Sequence, residues 1–527
     1  MKRAWSAIVG LLIVLTGVAI PAAAAPVAAA PEVVTIDTGQ LRGAHTADYR
    51  LFAGIPYAAP PVGELRWRAP APAASWSGVR DATVAGPSCS QGGGPIEALS
   101  SGLAKSEDCL SLNVSTPLTL PENGRRLPVL VWIHGGSFTG GSGDTYGAGP
   151  LITDGDGDAI VVTVNYRLGA LGFLAAGALD DGSGSGNYGL LDQQAALRWV
   201  QRNITAFGGD PDRVTLAGES AGAISVCAQL AAPSSRGLFQ AAIMQSGPCS
   251  DAVPVEEANR DGDDYAALHG CTGADAATCL RALPVDALLK DPVTKMVSGG
   301  EFLPTSARAA VRDGAIPQIP ILVGANHDEM ALWVYLKYGV PLGRTLSAED
   351  YRDALAGAMP DLTPEQVARV ERQYPVSAYP QPALALTRAW TDRILSGLTV
   401  EYAALSRTNP TYVYSFDDPA PVGPPSSFPL GAFHASELFS LFSLRDLGWL
   451  YGVATSEDQQ RLAGDMRRYW SRFTIEGTSN PAGLEPIPAY NAAGPRIISF
   501  RPDGSRLIDS YAADHQAEFW SSMPPVR

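Results

Sequence analysis

Basic side chains are scarce in this 527-residue chain: 38 lysines and arginines stand against 53 aspartates and glutamates, for a formal net charge of −15. A surface of that sign has no general attraction for phosphate backbones, which removes nucleic acid as a partner. Cysteine is also sparse, six in all, and no CxxC pair occurs, so neither a zinc ribbon nor a dithiol redox motif is supported. Histidine numbers six as well, few enough for each to be weighed as a base. Past the N-terminal leader no apolar run is long enough to cross a bilayer, and no internal repeat is present. Gly182, Gly184 and Gly186 lack the preceding strand and the GxGxxG spacing of a dinucleotide site. Asp154, Asp156 and Asp158 imitate the start of a calcium loop, but Ala159 replaces the required glycine and Asn165 the bidentate glutamate. That stretch reads as a solvated turn, and no metal or cofactor is expected.

What is present is a large apolar complement, 46% of residues, which suits a folded chain with an extensive core. Lys2 and Arg3, the apolar stretch Ile8 to Ile20 and the small residues Ala22 to Ala25 match a secretory signal peptide over residues 1–25, cut near residues 24–26. An uncleaved anchor is the alternative. Once the leader is removed, a secreted protein without stable membrane insertion is expected, and in such a compartment the six cysteines read as disulfides. Cys89 and Cys109 flank a Gly/Ser-rich loop and Cys271 and Cys279 a short polar one, so both look like local staples. Cys227 and Cys249 either pair or remain buried thiols.

Along the chain, VVTIDTGQLRGAH alternates around a Thr-Gly turn and predicts a hairpin. FAGIPYAAPPVGELRWRAP is proline-rich and predicts irregular structure. LSLNV, LPVLVWIHGG and AIVVTVNYR predict strands, the last two with the continuous apolar runs of strands covered on both faces. Leu190, Leu197, Val200 and Ile204 share one helical face. A strand before Ser220, a helix after it, then AAIMQSG, IPQIPILVGAN and TYVYSF complete a mostly parallel sheet with crossover helices. Beyond residue 250 helical patterns dominate, with capping boxes opening at Thr363 and Ser456 and Gly477 placed to end the last long helix. Residues 26–527 read as a single α/β domain with helical insertions after about residue 250.

The chemistry converges on Gly218-Glu219-Ser220-Ala221-Gly222, a GxSxG pattern between a strand and a helix. A serine hydroxyl is a weak nucleophile and needs a base, an oriented acid and N–H donors for the oxyanion. A GxSxG pattern alone fits a Gly/Ser loop equally well, so the rest of the chain decides. After Ser220 only His269, His327, His434 and His515 remain. His269 lies in a cysteine-stapled loop and His515 in a polar run near the C-terminus. His327 adjoins Asp328 and Glu329 at the tip of IPILVG, which makes that tip the source of the acid. His434, in GAFHASELFSLF, is the general base. His134-Gly135-Gly136-Ser137 after a strand, together with Ala221, supplies the backbone donors.

At this point the chain resembles a type B carboxylesterase of the cholinesterase-like α/β-hydrolase family, from about Val33 to the C-terminal helix. The resemblance is carried by FAGIPYAAPPVGELRWRAP, SEDCLSLNV, VLVWIHGGSF, VTVNYRLGALGFL, GNYGLLDQQAALRWVQRNITAFGGDPDRVTLAGESAG, MQSG, the DEM tripeptide and FHASEL. It implies an α/β-hydrolase fold with Ser220, Glu329 and His434 as the triad, Glu329 rather than Asp328 being the acid. It also implies oxyanion donors at Gly136, Ser137 and Ala221, and disulfides Cys89–Cys109 and Cys271–Cys279. The substrate it implies is a small-molecule carboxylic ester with a short or medium acyl chain. Lipase, polyester or amide hydrolysis is the neighbouring reading, and a non-catalytic adhesion protein on the same fold the reading from another class. Met330 and Ala223 depart from the family's glycines, and Trp333 is a candidate pocket wall.

Overall fold

The computed structural model describes residues 32–92, 104–122, 124–155, 159–180, 182, 184–339, 345–421, 428–445 and 455–525. The expected signal peptide lies outside the described residues, as do Asp156 and Asp158. The hairpin expected at Thr38-Gly39 is formed by β1 (Val33–Ile36) and β2 (Gly39–Arg42), paired antiparallel.

One eleven-stranded sheet organises the remainder. Its members are β3 (Ala44–His45), β4 (Tyr49–Pro56), β5 (Ser111–Pro117), β6 (Leu127–Ile133), β7 (Ile160–Val164), β8 (Gly209–Glu219), β9 (Ala241–Gln245), β10 (Ile321–Asn326), β11 (Thr411–Phe416), β12 (Ile497–Phe500) and β13 (Arg506–Ile508). The spatial order is β13-β12-β11-β10-β9-β8-β6-β7-β5-β4-β3. From β12 to β7 the neighbours are parallel, and the strands at both edges are antiparallel. This is the α/β-hydrolase fold that the resemblance implies. One expectation fails locally, because the proline-rich segment begins as a strand. Phe52 and Ile55 are buried against the sheet, and the register shifts between them around Gly54 at φ 66°. Gly54 donates its N–H to Asn113 Oδ1 instead of continuing the ladder. A bulge of this kind re-aims a strand without ending it.

The core follows the period of two that a pleated strand imposes. Val129, Val131 and Ile133 of β6 join one cluster, and Leu130 and Trp132 join the opposite one. β10 divides in the same way, with Ile321, Val323 and Ala325 facing one side and Leu322 the other. The first cluster is covered by α1 (Tyr188–Asn203) and α2 (Ala221–Ala231), so the predicted stripe Leu190, Leu197, Val200 is fully buried. Between β9 and β11 lie α3 (Val255–Leu268), α4 (Ala331–Tyr338), α5 (Pro364–Gln373) and the long α6 (Pro382–Leu405), the helical insertions. The opposite cluster is closed by α7 (Glu457–Glu476) through Leu462, Met466, Tyr469 and Phe473. Both predicted capping boxes are formed, at Thr363 with Gln366 and at Ser456 with Gln459. Each such cap stabilises its helix by about 1 kcal/mol. Gly477 ends α7 in the left-handed region at φ 68°, where a Cβ would be strained.

Three disulfides are present, Cys89–Cys109, Cys227–Cys249 and Cys271–Cys279. The pair left open by spacing is therefore bonded. It joins α2 to the segment after β9, where the Cα atoms stand 5.4 Å apart. Among the described residues no helix is long and apolar enough to cross a membrane.

Candidate active site

Ser220 sits where β8 turns into α2, at φ 56° and ψ −123°, a conformation that an ordinary residue avoids. The neighbouring sequence explains how the bend is tolerated. A Cβ on Gly222 would lie 2.1 Å from the carbonyl oxygen of Ile133, and one on Gly218 2.5 Å from the carbonyl carbon of Gly222. Only glycines allow the turn to lie this close to the end of β6. The Ser220 N–H donates to the Gln245 carbonyl at 2.8 Å, tying the bend to β9.

Beside the bend runs the loop after β6. A Cβ on Gly135 would come 3.1 Å from the Ser220 Cβ, so the backbone here passes directly against the serine. Gly136 adopts φ 115°, and Ser137 and Phe138 also have positive φ. His134 is fully buried, stacked 4.4 Å from Tyr166 with Nδ1 2.8 Å from the Gly135 carbonyl, and burial lowers its pKa to about 4. Gln91 grips the far end of the loop, accepting from the Gly141 N–H and donating to its carbonyl. Gly136, Ser137 and Ala221, the expected donors, thus lie in a loop and a helix start that are held on either side of Ser220.

His434 follows β11 in a tight turn in which Ala435 takes φ 68°. Its Nδ1 is 2.5 Å from Glu329 Oε2. A carboxylate accepts, so Nδ1 carries the proton, and Nε2 is left 3.2 Å from Oε1 of Glu219, the residue before the serine. The structure therefore brings the elbow, His434 and Glu329 into one cluster. Glu329, at the tip of β10, is 3% exposed and accepts the Asn326 N–H on its other oxygen at 2.8 Å. Asp328 turns away from His434 and contacts His327 and Ala432 instead. The remaining histidines lie elsewhere: His515 is buried against Asp392, and His269 ends α3. Met330 sits at φ −88°, open to any residue, so the lost glycine costs this turn nothing. The Trp333 ring lies 6.3 Å from that of His434.

Sequence reasoning missed a set of buried polar groups behind these side chains. Glu437 is fully buried and accepts from Gln245 at 3.0 Å and from Asn326 at 2.6 Å. Gln245 in turn accepts from Trp470 at 2.8 Å and supplies the carbonyl that holds Ser220. The available signal was the acidic residue inside each of GESAG and FHASEL. Burial pushes the Glu219 carboxyl up to about 8, above the usual carboxylate range. Burial alone would lower the pKa of His434, but Glu219 and then Glu329 overcome it and raise the imidazole above its usual range. The two groups titrate together: while Glu219 keeps its proton, the largest upward pull on His434 is absent.

A central parallel sheet, with a bent serine between strand and helix and a carboxylate-bound histidine beside it, defines an α/β-hydrolase. The carboxylesterase family model matches residues 30–520, and the chain belongs to that family. It is 35% identical over 482 residues to the para-nitrobenzyl esterase of Bacillus subtilis (strain 168), covering 87% of this chain and 93% of the relative. Identity to the acylcarnitine hydrolase of Mus musculus is 34% over 523 residues, 93% of this chain and 91% of that protein. To the fatty acyl-CoA hydrolase precursor, medium chain, of Anas platyrhynchos it is 33% over 549 residues, 97% and 96% of the two chains. The class of activity is carboxylic ester hydrolysis.

Proposed function

We propose that the protein is a secreted carboxylic ester hydrolase that works through a Ser220–His434–Glu329 triad and an acyl-enzyme. The observation that carries this reading is His434 itself, bonded to Glu329 through Nδ1, with Nε2 3.2 Å from the carboxyl of Glu219, the residue before Ser220. His434 takes the Ser220 proton as the hydroxyl oxygen attacks the ester carbonyl, then delivers it to the leaving alcohol. Glu329 orients the ring and stabilises the imidazolium. The N–H groups of Gly136, Ser137 and Ala221 receive the oxyanion, each such donor contributing about 10²–10³ in rate. Water activated by His434 then releases the acid and restores Ser220.

Short- to medium-chain esters are the proposed substrates, in keeping with a relative named for medium-chain acyl groups. Trp333, half-buried beside His434, is the proposed pocket wall. Residues 26–527 act as one catalytic unit, since strands from both ends of the chain share the main sheet. Export by a leader at residues 1–25 suits a chain with three disulfides.

The test is incubation of the mature protein with p-nitrophenyl acetate and with an organophosphate. Turnover of the ester and labelling of Ser220 alone are expected, and failure of both sinks the reading. His434→Ala abolishes turnover while His327→Ala spares most of it; the reverse pattern refutes the assignment of the base. A hydrolysis panel varying acyl length and alcohol bulk separately then defines the preferred ester.

A further inference from the structure

The tip of β10 carries two adjacent carboxylates, and the triad uses only one. Asp328 makes a different set of contacts, two of them directed at the segment that delivers His434. Its backbone N–H donates to the Ala432 carbonyl at 2.9 Å, and its Oδ2 accepts the Ala432 N–H at 3.0 Å. One residue thus holds both polar groups of a single peptide position two residues before His434. The fit is close. Gly431 lies at φ 57°, and a Cβ there would stand 2.1 Å from Asp328 Oδ2. The contact continues one residue on in the tip and two residues on in the facing segment, where His434 donates its N–H to the Glu329 carbonyl at 3.2 Å.

The surroundings of Asp328 orient it without neutralising this contact. Oδ1 faces His327 Nδ1 at 3.1 Å, and His327 leans on His515 with ring centroids 5.1 Å apart. Arg388 from α6, Asp417 after β11 and Arg501 after β12 line the adjoining cavity of about 450 Å³. Arg388 is engaged by Asp392 and Arg501 by Asp417, which leaves the Asp328 carboxylate to His327 and the Ala432 N–H.

We propose that Asp328 is a positioning residue: through its paired hydrogen bonds to Ala432 it clasps the His434 segment against the tip of β10 and so sets the Glu329–His434 hydrogen bond. The proposal rests on the triad reading. It assigns the two carboxylates separate tasks, Glu329 on the imidazole and Asp328 on the backbone that carries it. The Glu329–His434 bond raises the imidazole pKa, so a loosened clasp lowers it. Misplacing a reacting group by about 1 Å costs on the order of 10²-fold in rate.

The experiment compares Asp328→Ala, Asp328→Asn, Gly431→Ala and Glu329→Gln in the full chain, with p-nitrophenyl acetate as substrate. Asp328→Ala is expected to lower kcat by about ten- to a hundredfold with KM within about twofold. It should also move the acid limb of kcat/KM to lower pH, and Asp328→Asn, which keeps an acceptor oxygen, should recover most of both losses. Wild-type kcat and an unmoved limb in Asp328→Ala, whatever its melting temperature, overturn the clasp and leave the triad standing. Should Asp328→Ala fail to fold, Gly431→Ala decides: a kcat at least about tenfold lower with the same shifted limb supports the clasp, and wild-type behaviour overturns it. If Asp328→Asn abolishes turnover while Glu329→Gln retains it, Asp328 is the acid and the triad reading itself fails.

Discussion

Oε1 of Glu219 lies 3.2 Å from Nε2 of His434 and is buried without a hydrogen-bond partner among the described residues. On the proposed triad this nitrogen is the base, and the Glu219 carboxylate beside it raises the pKa of the imidazole. Glu219→Gln removes the leading upward influence on His434. The acid limb of kcat/KM is expected to move to lower pH, with kcat reduced by about tenfold as the imidazolium loses electrostatic support. A pH–rate profile from pH 5 to 10 measures both, and an unmoved limb contradicts the coupling.

The same carboxyl links stability to pH. Its folded pKa is raised by burial to about 8, above the value of an exposed glutamate. For a raised pKa the contribution to stability is complete below the unfolded value, near 4.5, and is lost as pH rises through 8. Glu219→Gln cannot ionise and escapes that loss. Its melting temperature is expected to exceed that of the wild type above pH 8, with the difference shrinking towards pH 4.5; thermal melts across that range measure this, and a difference that grows towards pH 4.5 contradicts it.

Gly136→Ala tests the proposed oxyanion role of the loop after β6. At φ 115° a Cβ would meet the Gly140 carbonyl oxygen at 2.2 Å, so the turn has to rearrange. A fall in kcat of about 10²–10³ is expected while KM stays near wild type, the signature of a donor lost mainly in the transition state. Steady-state kinetics on one ester suffices, and unchanged kcat rules the loop out as the donor site.

Replacing Cys227 and Cys249 together by serine opens a bridge spanning 22 residues. The chain-entropy model gives a loss of about 3 kcal/mol. A lower denaturant midpoint is expected, and thiol titration of the denatured, unreduced wild type should find no free cysteine.

How much of this was legible depended on range. TYVYSF is a strand over the span its residues suggest, and both capping boxes form, because those signals are complete within a few neighbouring residues. β4 was hidden by the prolines around it, since its pairing depends on Asn113 and on a bulge at Gly54. β12 and β13 went unmarked, β13 being a three-residue edge strand with little apolar pattern. At the site, Ser220, Glu329 and His434 stand in recognisable motifs. Glu219, Asn326 and Glu437 were invisible as a group, because burial shifts the two carboxyls and the partners that join the group lie far along the chain. Glu437 and Gln245, for instance, are 192 positions apart. The bond between Cys227 and Cys249 was undecidable from spacing for the same reason: it depends on where β9 places the segment beside α2.

The order of the elements around the bend has a further meaning for the growing polypeptide. The bent serine emerges from the ribosome with β8 and α2, but the strand tip and the turn bearing His434 are synthesised much later, the latter two 105 residues apart. On the proposed triad, a chain that ends between residues 220 and 434 holds the serine without its base. On that reading the serine gains its base only after the segment bearing His434 has been made and has docked against the tip of β10.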